Sequence, residues 1–204
     1  SDATPPATAL EPSGAFFTGD GRDYAPAAFT YALTAQDPAV NAVASGAAET
    51  LFRVDATSFT RYASTFTLAE GARRVDFQSA DNVGNLELLK SATVYVDATP
   101  PLTALTVGAP QHATVGGTLF VGPATPFALT TQDPVVGDVA SGVGQSQANN
   151  WAGEGAKTFK ARAVDSLGGT SGWTSHTVTL SCTAGTTWSG TTCLQNVAIG
   201  TFTA

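Results

Sequence analysis

The chain has 204 residues, of which 43% are hydrophobic and only 12% are charged, and its formal net charge is −7. This hydrophobic content is typical of a folded globular protein and excludes a disordered tail. The acidic balance argues against a nucleic-acid partner, which needs a basic surface, and it favours divalent cations as partners. No apolar run reaches the roughly eighteen residues that suggest a membrane span, so we expect none.

One five-residue segment occurs twice. Asp2-Ala3-Thr4-Pro5-Pro6 stands at the start of the chain, and Asp97-Ala98-Thr99-Pro100-Pro101 lies near its middle. A spacing of about 95 residues is the length of one β-sandwich domain. Adjacent prolines donate no backbone hydrogen bond and hold φ at about −65°, so each segment is expected to form a stiff, extended joint. We therefore predict two tandem β-sandwich domains, residues 1–96 and 97–181, followed by a C-terminal segment, residues 182–204.

Short alternating runs bounded by Gly, Pro, Asn and Asp recur along the chain, and a helical period is missing. This pattern predicts an all-β fold. In the first domain a polar insertion from Ser13 to Tyr24 separates the first two strands. The predicted strands are 8–10, 29–35, 50–54, 66–68, 74–78 and 91–96.

The second domain repeats the first in a shorter chain. Gln36-Asp37-Pro38 and Ala44-Ser45-Gly46 recur 96 residues later as Gln132-Asp133-Pro134 and Ala140-Ser141-Gly142, whereas Asp81 recurs 84 residues later as Asp165. The second domain has therefore lost 12 residues between these anchors, about one short hairpin.

Five motifs of the first domain form a recognisable set. They are the aspartate before a double proline at Asp2 to Pro6, Ser45-Gly46, Arg53-Val54-Asp55, Glu70-Gly71, and the turn from Asp81 to Asn85. The domain thereby resembles the Ig-like repeats of large bacterial secreted and cell-surface proteins. The second domain keeps the ends of the pattern but lacks the Arg-Val-Asp strand. The resemblance implies a stalk, spacer, adhesive module or fibre subunit, and no particular ligand.

Aspartates recur at positions that share one pole of an Ig-like sandwich, namely the start of the domain, the loop after the second strand and the loop before the last strand. Three carboxylates with loop carbonyls could supply the oxygens that Ca²⁺ takes. The alternative is that each aspartate caps a turn through its own side chain. The candidate calcium ligands are Asp97, Asp133 and Asp165 in the second domain and Asp2, Asp37 and Asp81 in the first.

The C-terminal segment contains both cysteines of the chain, Cys182 and Cys193. Two cysteines this close, with no histidine beside them, fit a disulfide loop better than a metal site, and this indicates an extracellular or cell-surface location. The tail from Leu194 to Thr203 is rich in β-formers and has no charge and no proline. It is expected either to fold back as an edge strand of its own domain or to pair with a neighbouring subunit and so drive self-association.

Motifs for catalysis are missing from the sequence. No Gly-x-Ser-x-Gly elbow, His-Glu-x-x-His helix or phosphate-binding loop occurs, and His112 and His176 are far apart, so we expect no enzyme activity and no cofactor besides Ca²⁺. Trp151 either stacks on a sugar ring or packs within the domain. The function expected is that of a non-catalytic structural module of a secreted or cell-surface protein. The alternative is an accessory carbohydrate-binding module of a larger secreted protein.

Overall fold

The computed structural model describes residues 1–122, 125–148 and 155–180. These residues form sixteen β-strands joined by turns and loops, and they contain no helix. The expected all-β class is therefore confirmed. Since the described residues include no helix, none of them provides a long apolar helix that could cross a bilayer.

The chain divides into two compact units. The first comprises Ser1–Thr99 together with Val135–Ser141, and the second comprises Pro100–Pro134 and the chain from Gly142 onward. The domain limits 1–96, 97–181 and 182–204 remain a prediction.

The first unit contains two β-sheets. One has three strands in the order β1-β4-β7, and the other has six in the order β2-β3-β9-β8-β5-β6. Neighbouring strands are antiparallel except β3 and β9, which run parallel. The strands are β1 Ala7–Pro12, β2 Phe17–Gly19, β3 Arg22–Pro26, β4 Thr30–Gln36, β5 Ala47–Val54, β6 Thr60–Arg61, β7 Phe66–Thr67, β8 Gly71–Asp81 and β9 Lys90–Asp97.

The core of the first unit is built by alternate residues of both sheets. Tyr31 and Leu33 of β4 are buried, as the alternation of the sequence predicts, because successive side chains of a strand point to opposite faces. Val75 of β8 and Val96 of β9 belong to the same buried cluster. Burying a side chain of this size stabilises the fold by about 1.5–3 kcal/mol.

The expected polar insertion from Ser13 to Tyr24 is in part wrong, because it contains β2 and most of β3. Asp20 and Gly21 both have positive φ, 50° and 72°, and form the tight turn between these strands. Tyr24 is buried, with its ring centroid 6.1 Å from that of Phe17 and 5.9 Å from that of Tyr95. The aspartate–glycine pair was a hairpin signal that the polar surroundings obscured.

The second unit repeats this topology. It has a two-stranded sheet β10-β13 and a five-stranded sheet in the order β11-β12-β16-β15-β14. The parallel pair β12/β16 corresponds to β3/β9 of the first unit. The strands are β10 Leu102–Val107, β11 Gln111–Ala113, β12 Leu119–Val121, β13 Phe127–Gln132, β14 Val143–Ala148, β15 Gly155–Asp165 and β16 Thr174–Leu180.

Candidate metal site

Asp81 ends the long strand β8, and its carboxylate holds the turn that follows. Oδ1 accepts hydrogen bonds from the backbone N–H groups of Val83 at 2.9 Å and Asn85 at 2.8 Å, and Oδ2 accepts one from Asn85 Nδ2 at 2.6 Å. The residue is only 3% exposed. Burial raises the pKa of Asp81, but the hydrogen bonds from Asn85 and Val83 outweigh it and hold the pKa below its usual range. The group is therefore a carboxylate at neutral pH.

Asp2 lies at the start of the chain and holds it against the Ser-Gly loop. Its Oδ1 accepts a hydrogen bond from Thr4 N at 3.0 Å, and its Oδ2 accepts one from Ser45 N at 2.6 Å. These two backbone hydrogen bonds hold the pKa of Asp2 below its usual range. A second charge is thus fixed at this pole of the first unit.

Asp37 follows β4 and is the least satisfied of the three. Its Oδ2 accepts a hydrogen bond from Gly46 N at 2.6 Å and a longer one from Ser45 Oγ at 3.4 Å. Gly46 can donate in this direction because its φ is +84°, which glycine adopts without strain. The other oxygen, Oδ1, is buried and has no hydrogen-bond partner among the described residues. A buried carboxylate oxygen without a partner is costly, and a water molecule, a proton shared with a neighbouring carboxylate or a cation would relieve this cost.

The three carboxylates converge. One carboxylate oxygen of each of Asp2, Asp37 and Asp81 lies within 4.8 Å of the other two. Within the described part of the chain, these three residues form the group that could hold a metal ion. Two ligands on opposite sides of Ca²⁺, each about 2.4 Å from the ion, are about 4.8 Å apart, so one ion could contact all three. Asp2 also lines a cavity of 250 Å³, whereas Asp37 and Asp81 do not.

The predicted ligands of the second domain make matching backbone hydrogen bonds at 2.6–3.2 Å. The acceptors and their donors are Asp97 with Thr99 and Ser141, Asp133 with Gly142, and Asp165 with Leu167 and Gly169. Four of the six aspartates, Asp2, Asp81, Asp97 and Asp165, accept hydrogen bonds from backbone N–H groups two to four residues later, as the turn-capping alternative expects. Asp37 and Asp133 instead accept from Gly46 and Gly142, nine residues later. Each oxygen has two lone pairs, so these bonds leave capacity for a cation. Calcium binding by Asp97, Asp133 and Asp165 stays a prediction.

Other predicted site residues have different outcomes. Cys182, Cys193, Trp151 and the tail 194–203 lie outside the described residues, so the disulfide and the Trp151 sugar contact remain predictions. Trp173, which is a second tryptophan considered for sugar binding, is 53% exposed.

Two buried carboxylates outside the pole were missed from the sequence. Glu87 is 6% exposed and forms an ion pair with Lys90 at 2.6 Å. Asp76 has a side chain that is 1% exposed, and it pairs with Arg53 and Arg74. A hydrogen bond from Ser91 Oγ and those from the two guanidinium groups outweigh burial and lower the pKa of Asp76 to about 2. Both groups lie within patterns of alternating polar residues, where nothing distinguishes a buried acid from an exposed one.

Comparison with known proteins does not identify a family for this chain. No protein-family model and no curated protein matches the chain. A solved structure of the fibronectin(III)-like modules of Clostridium thermocellum CbhA is similar over 85% of this chain and 93% of that chain, at 15% sequence identity and a TM-score of 0.39. A likeness at this TM-score does not define a function.

Proposed function

We propose that this chain is a non-catalytic structural module of a secreted or cell-surface protein, and that Ca²⁺ bound by Asp2, Asp37 and Asp81 fastens its N-terminal joint. The observation that carries the calcium proposal is the convergence of the carboxylates of Asp2, Asp37 and Asp81. One oxygen of Asp37, Oδ1, is also buried without a hydrogen-bond partner among the described residues. The Ig-like sequence motifs and the all-β fold support the structural role.

The electrostatics of the site favour a cation. Asp2 and Asp81 have lowered pKa values and are ionised at neutral pH, so two negative charges lie within a few ångströms of each other, beside the carboxyl group of Asp37. Like charges at this distance repel one another, and a divalent ion turns the repulsion into attraction. A proton shared between two of the carboxylates is the competing way to relieve the repulsion.

The position of the site explains how it would serve a stalk. Asp2 belongs to the same short segment as Pro5 and Pro6, whose rings restrict the backbone. An ion that joins Asp2 to Asp37 and Asp81 ties this stiff segment to the end of β8 and to the loop after β4. The ion would thereby hold the N-terminal segment in one orientation relative to the first unit.

Thermal unfolding with and without Ca²⁺ tests the proposal. A ligand that binds only the folded state stabilises it by RT ln(1 + [L]/Kd), which is about 2.7 kcal/mol at a hundred times Kd. We expect Ca²⁺ to raise the Tm of the wild type at pH 7 and to raise the Tm of Asp37→Asn by less. The exposed Asp23→Asn variant is the matched control and should respond to Ca²⁺ as the wild type does. A wild-type Tm that is the same in chelator and in millimolar Ca²⁺ contradicts the proposal.

A carbohydrate-binding function is the second candidate, and Trp173 favours it. The exposed indole has the guanidinium carbon of Arg162 4.8 Å from its ring centroid, and Arg162 Nε donates to Gln147 Oε1 at 2.7 Å. A fixed, exposed ring beside polar side chains is a suitable surface for a sugar. A glycan array tests it, and a specific signal that is lost in Trp173→Ala and kept in the exposed aromatic control Phe17→Ala would support it. An array with no specific signal removes this candidate.

A further inference from the structure

Two loops of the first unit are counterparts in the sequence repeat. The early loop consists of residues 39–45, and the late loop consists of Val135–Ser141, 96 residues further along the chain. The two central residues of each loop have positive φ, namely Asn41 (51°) and Ala42 (64°) in the early loop and Gly137 (55°) and Asp138 (62°) in the late loop. Positive φ at both central residues is characteristic of a type I′ turn. The two loops therefore share one backbone conformation.

The late loop is covered, whereas the early loop is open. Val139 of the late loop is 1% exposed, but its counterpart Val43 in the early loop is 42% exposed. Val40 is 52% exposed, and both valines of the early loop line the cavity of 250 Å³ beside Asp2. The same turn thus buries its apolar side chain in only one of its two occurrences. Exposed apolar surface next to a cavity is typical of a docking site.

Residues from the body of the first unit contact the late loop. Arg22 Nη1 donates a hydrogen bond to the carbonyl of Asp138 at 3.1 Å, and the guanidinium carbon of Arg22 lies 4.8 Å from the ring centroid of Tyr95. Gly71 approaches Gly137 so closely that a Cβ added at Gly137 would lie 3.1 Å from Gly71 Cα. This surface, called the Arg22–Gly71 surface, combines an arginine donor held on an aromatic ring with a glycine that permits close backbone approach.

We propose that the early loop docks on a β-sandwich module that is joined before Asp2 and presents a surface like the Arg22–Gly71 surface. The order of the chain supports this occupant. The residues that contact the late loop precede the joint Asp97 to Pro101, and the same five residues stand ahead of the early loop. The acceptor of the arginine is a backbone carbonyl, which Ala42 supplies at the matching position of the early loop.

Each loop is tied in the same way to the aspartate of the joint that precedes it. Ser141 N donates to Asp97 Oδ2 at 2.7 Å, and Ser45 N donates to Asp2 Oδ2 at 2.6 Å. The joint and the loop therefore have the same relation to each other in both repeats. A module joined before Asp2 would meet the early loop as the Arg22–Gly71 surface meets the late loop.

One difference between the loops restricts the partner. Asn41 takes the place of Gly137, where an added Cβ would lie 3.1 Å from Gly71 Cα. A side chain at this position requires the partner backbone to yield slightly, and a covered Asn41 amide needs a hydrogen-bond partner. We therefore expect the partner to have glycine at the position of Gly71 and a polar group beside it. On the Arg22–Gly71 surface itself, Asn41→Gly should improve docking.

Cysteine labelling tests the proposal in an extended protein, in which residues 1–96 are added before Asp2 of the full chain. The added copy supplies the Arg22–Gly71 surface, and its circular dichroism checks that it has folded. We expect alkylation at position 43 in the Val43→Cys variant of the full chain to be about tenfold slower in the extended protein than in the natural chain, because a covered thiol reacts only after local opening. Peptide mapping separates this thiol from Cys182 and Cys193.

Two further variants make the test specific. Ser58→Cys is the matched control, because Ser58 is exposed in the turn after β5 and should react equally fast in both proteins. Arg22→Ala in the added copy alone should raise the labelling rate at position 43 severalfold, because it removes the donor to the Ala42 carbonyl. Asn41→Gly in the full-chain part should lower that rate further.

Three results would overturn the proposal. The first is labelling at position 43 that is as fast in the extended protein as in the natural chain. The second is slow labelling that Arg22→Ala in the added copy does not change, since another surface must then cover the loop. The third is slow labelling in the natural chain at high concentration, with multimers in light scattering, since the partner is then a second copy. This inference goes beyond the proposed function, and repeating the labelling in chelator separates it from the calcium proposal.

Discussion

Replacing Glu87 by Gln is expected to destabilise the first unit, because Glu87 links β1 to β8 through hydrogen bonds that need a carboxylate. Its Oε1 accepts from Thr8 N at 2.8 Å, and its Oε2 accepts from Thr8 Oγ1 at 2.6 Å and from Ser79 N at 3.2 Å. Each oxygen thus faces a backbone N–H. In Glu87→Gln the amide NH₂ must replace one of these oxygens, whichever way the side chain is turned.

The size of the effect follows from these contacts. One buried backbone donor is left without an acceptor, which costs about 1–3 kcal/mol. The remaining hydrogen bonds lose their charge assistance, about 1 kcal/mol more. The lost ion pair with Lys90, whose side chain is 43% exposed, adds less than about 1 kcal/mol. We expect a loss of about 3 kcal/mol, which lowers the Tm of a unit of this size by about 15 °C.

Calorimetry at several pH values measures this effect. Burial raises the pKa of Glu87, but the hydrogen bonds from Lys90 and Thr8 outweigh it and leave the pKa below the ordinary value of 4.5. A carboxyl group with a lowered folded-state pKa stabilises the protein above its unfolded-state pKa, and this contribution is lost as the pH falls through the folded-state pKa. The difference between wild type and Glu87→Gln should therefore be full at pH 7 and shrink below about pH 4.5.

Glu49→Gln is the control, because Glu49 lies on β5 and is exposed. It should change stability by no more than about 0.5 kcal/mol. If Glu87→Gln costs no more than this control at pH 7, the reasoning about the buried carboxylate is wrong.

Three further predictions concern other parts of the chain. Tyr31→Phe should leave the free energy of unfolding unchanged or raise it by about 1 kcal/mol. The Tyr31 hydroxyl is buried without a partner among the described residues, and burial raises its pKa to about 12. Chemical denaturation measures the effect, and a loss above about 1 kcal/mol contradicts the prediction. Gly46→Ala should lower the free energy of unfolding by about 1–2 kcal/mol, because φ is +84° and the added Cβ would lie 3.3 Å from Asn82 Nδ2. In Gly122→Ala the added Cβ meets no atom within 4 Å, so chemical denaturation should show almost no change. A disulfide between Cys182 and Cys193 is predicted, and it should stabilise the fold by up to about 3 kcal/mol. Alkylation should therefore change the intact mass only after the protein has been reduced. Alkylation of the unreduced protein would refute the disulfide.

Short-range residue patterns were enough to predict the buried face of β4 and the shared pole of the aspartates. The alternation around Tyr31 and Leu33 identified a strand with one buried face, because period two follows from strand geometry alone. The aspartates were predicted to share a pole because the start of the domain, the loop after the second strand and the loop before the last strand meet at one end of an Ig-like sandwich. The convergence of Asp2, Asp37 and Asp81 agrees with that expectation for the first unit.

Features that depend on distant partners were not predicted. Glu87 bonds to Thr8, which is 79 residues away, and neither residue carries a local sign of burial. β3 was missed because its only large buried side chain, Tyr24, gains its burial from β2 and from β9 across the sheet. The orphaned Oδ1 of Asp37 was likewise invisible in the sequence, since it depends on which donors the Ser45-Gly46 loop presents.

Counting bound calcium tests the central claim most directly. Native mass spectrometry of the full chain at neutral pH, after titration with Ca²⁺, gives the number of ions on the wild type, on Asp37→Asn and on the Asp23→Asn control. We predict that Asp37→Asn binds one ion fewer than the wild type, because the only described group of three carboxylates then loses a ligand. Asp23→Asn should keep the wild-type number. A wild type that takes up no Ca²⁺ at millimolar concentration, or an Asp37→Asn variant with the full wild-type number, would contradict the assignment of this site.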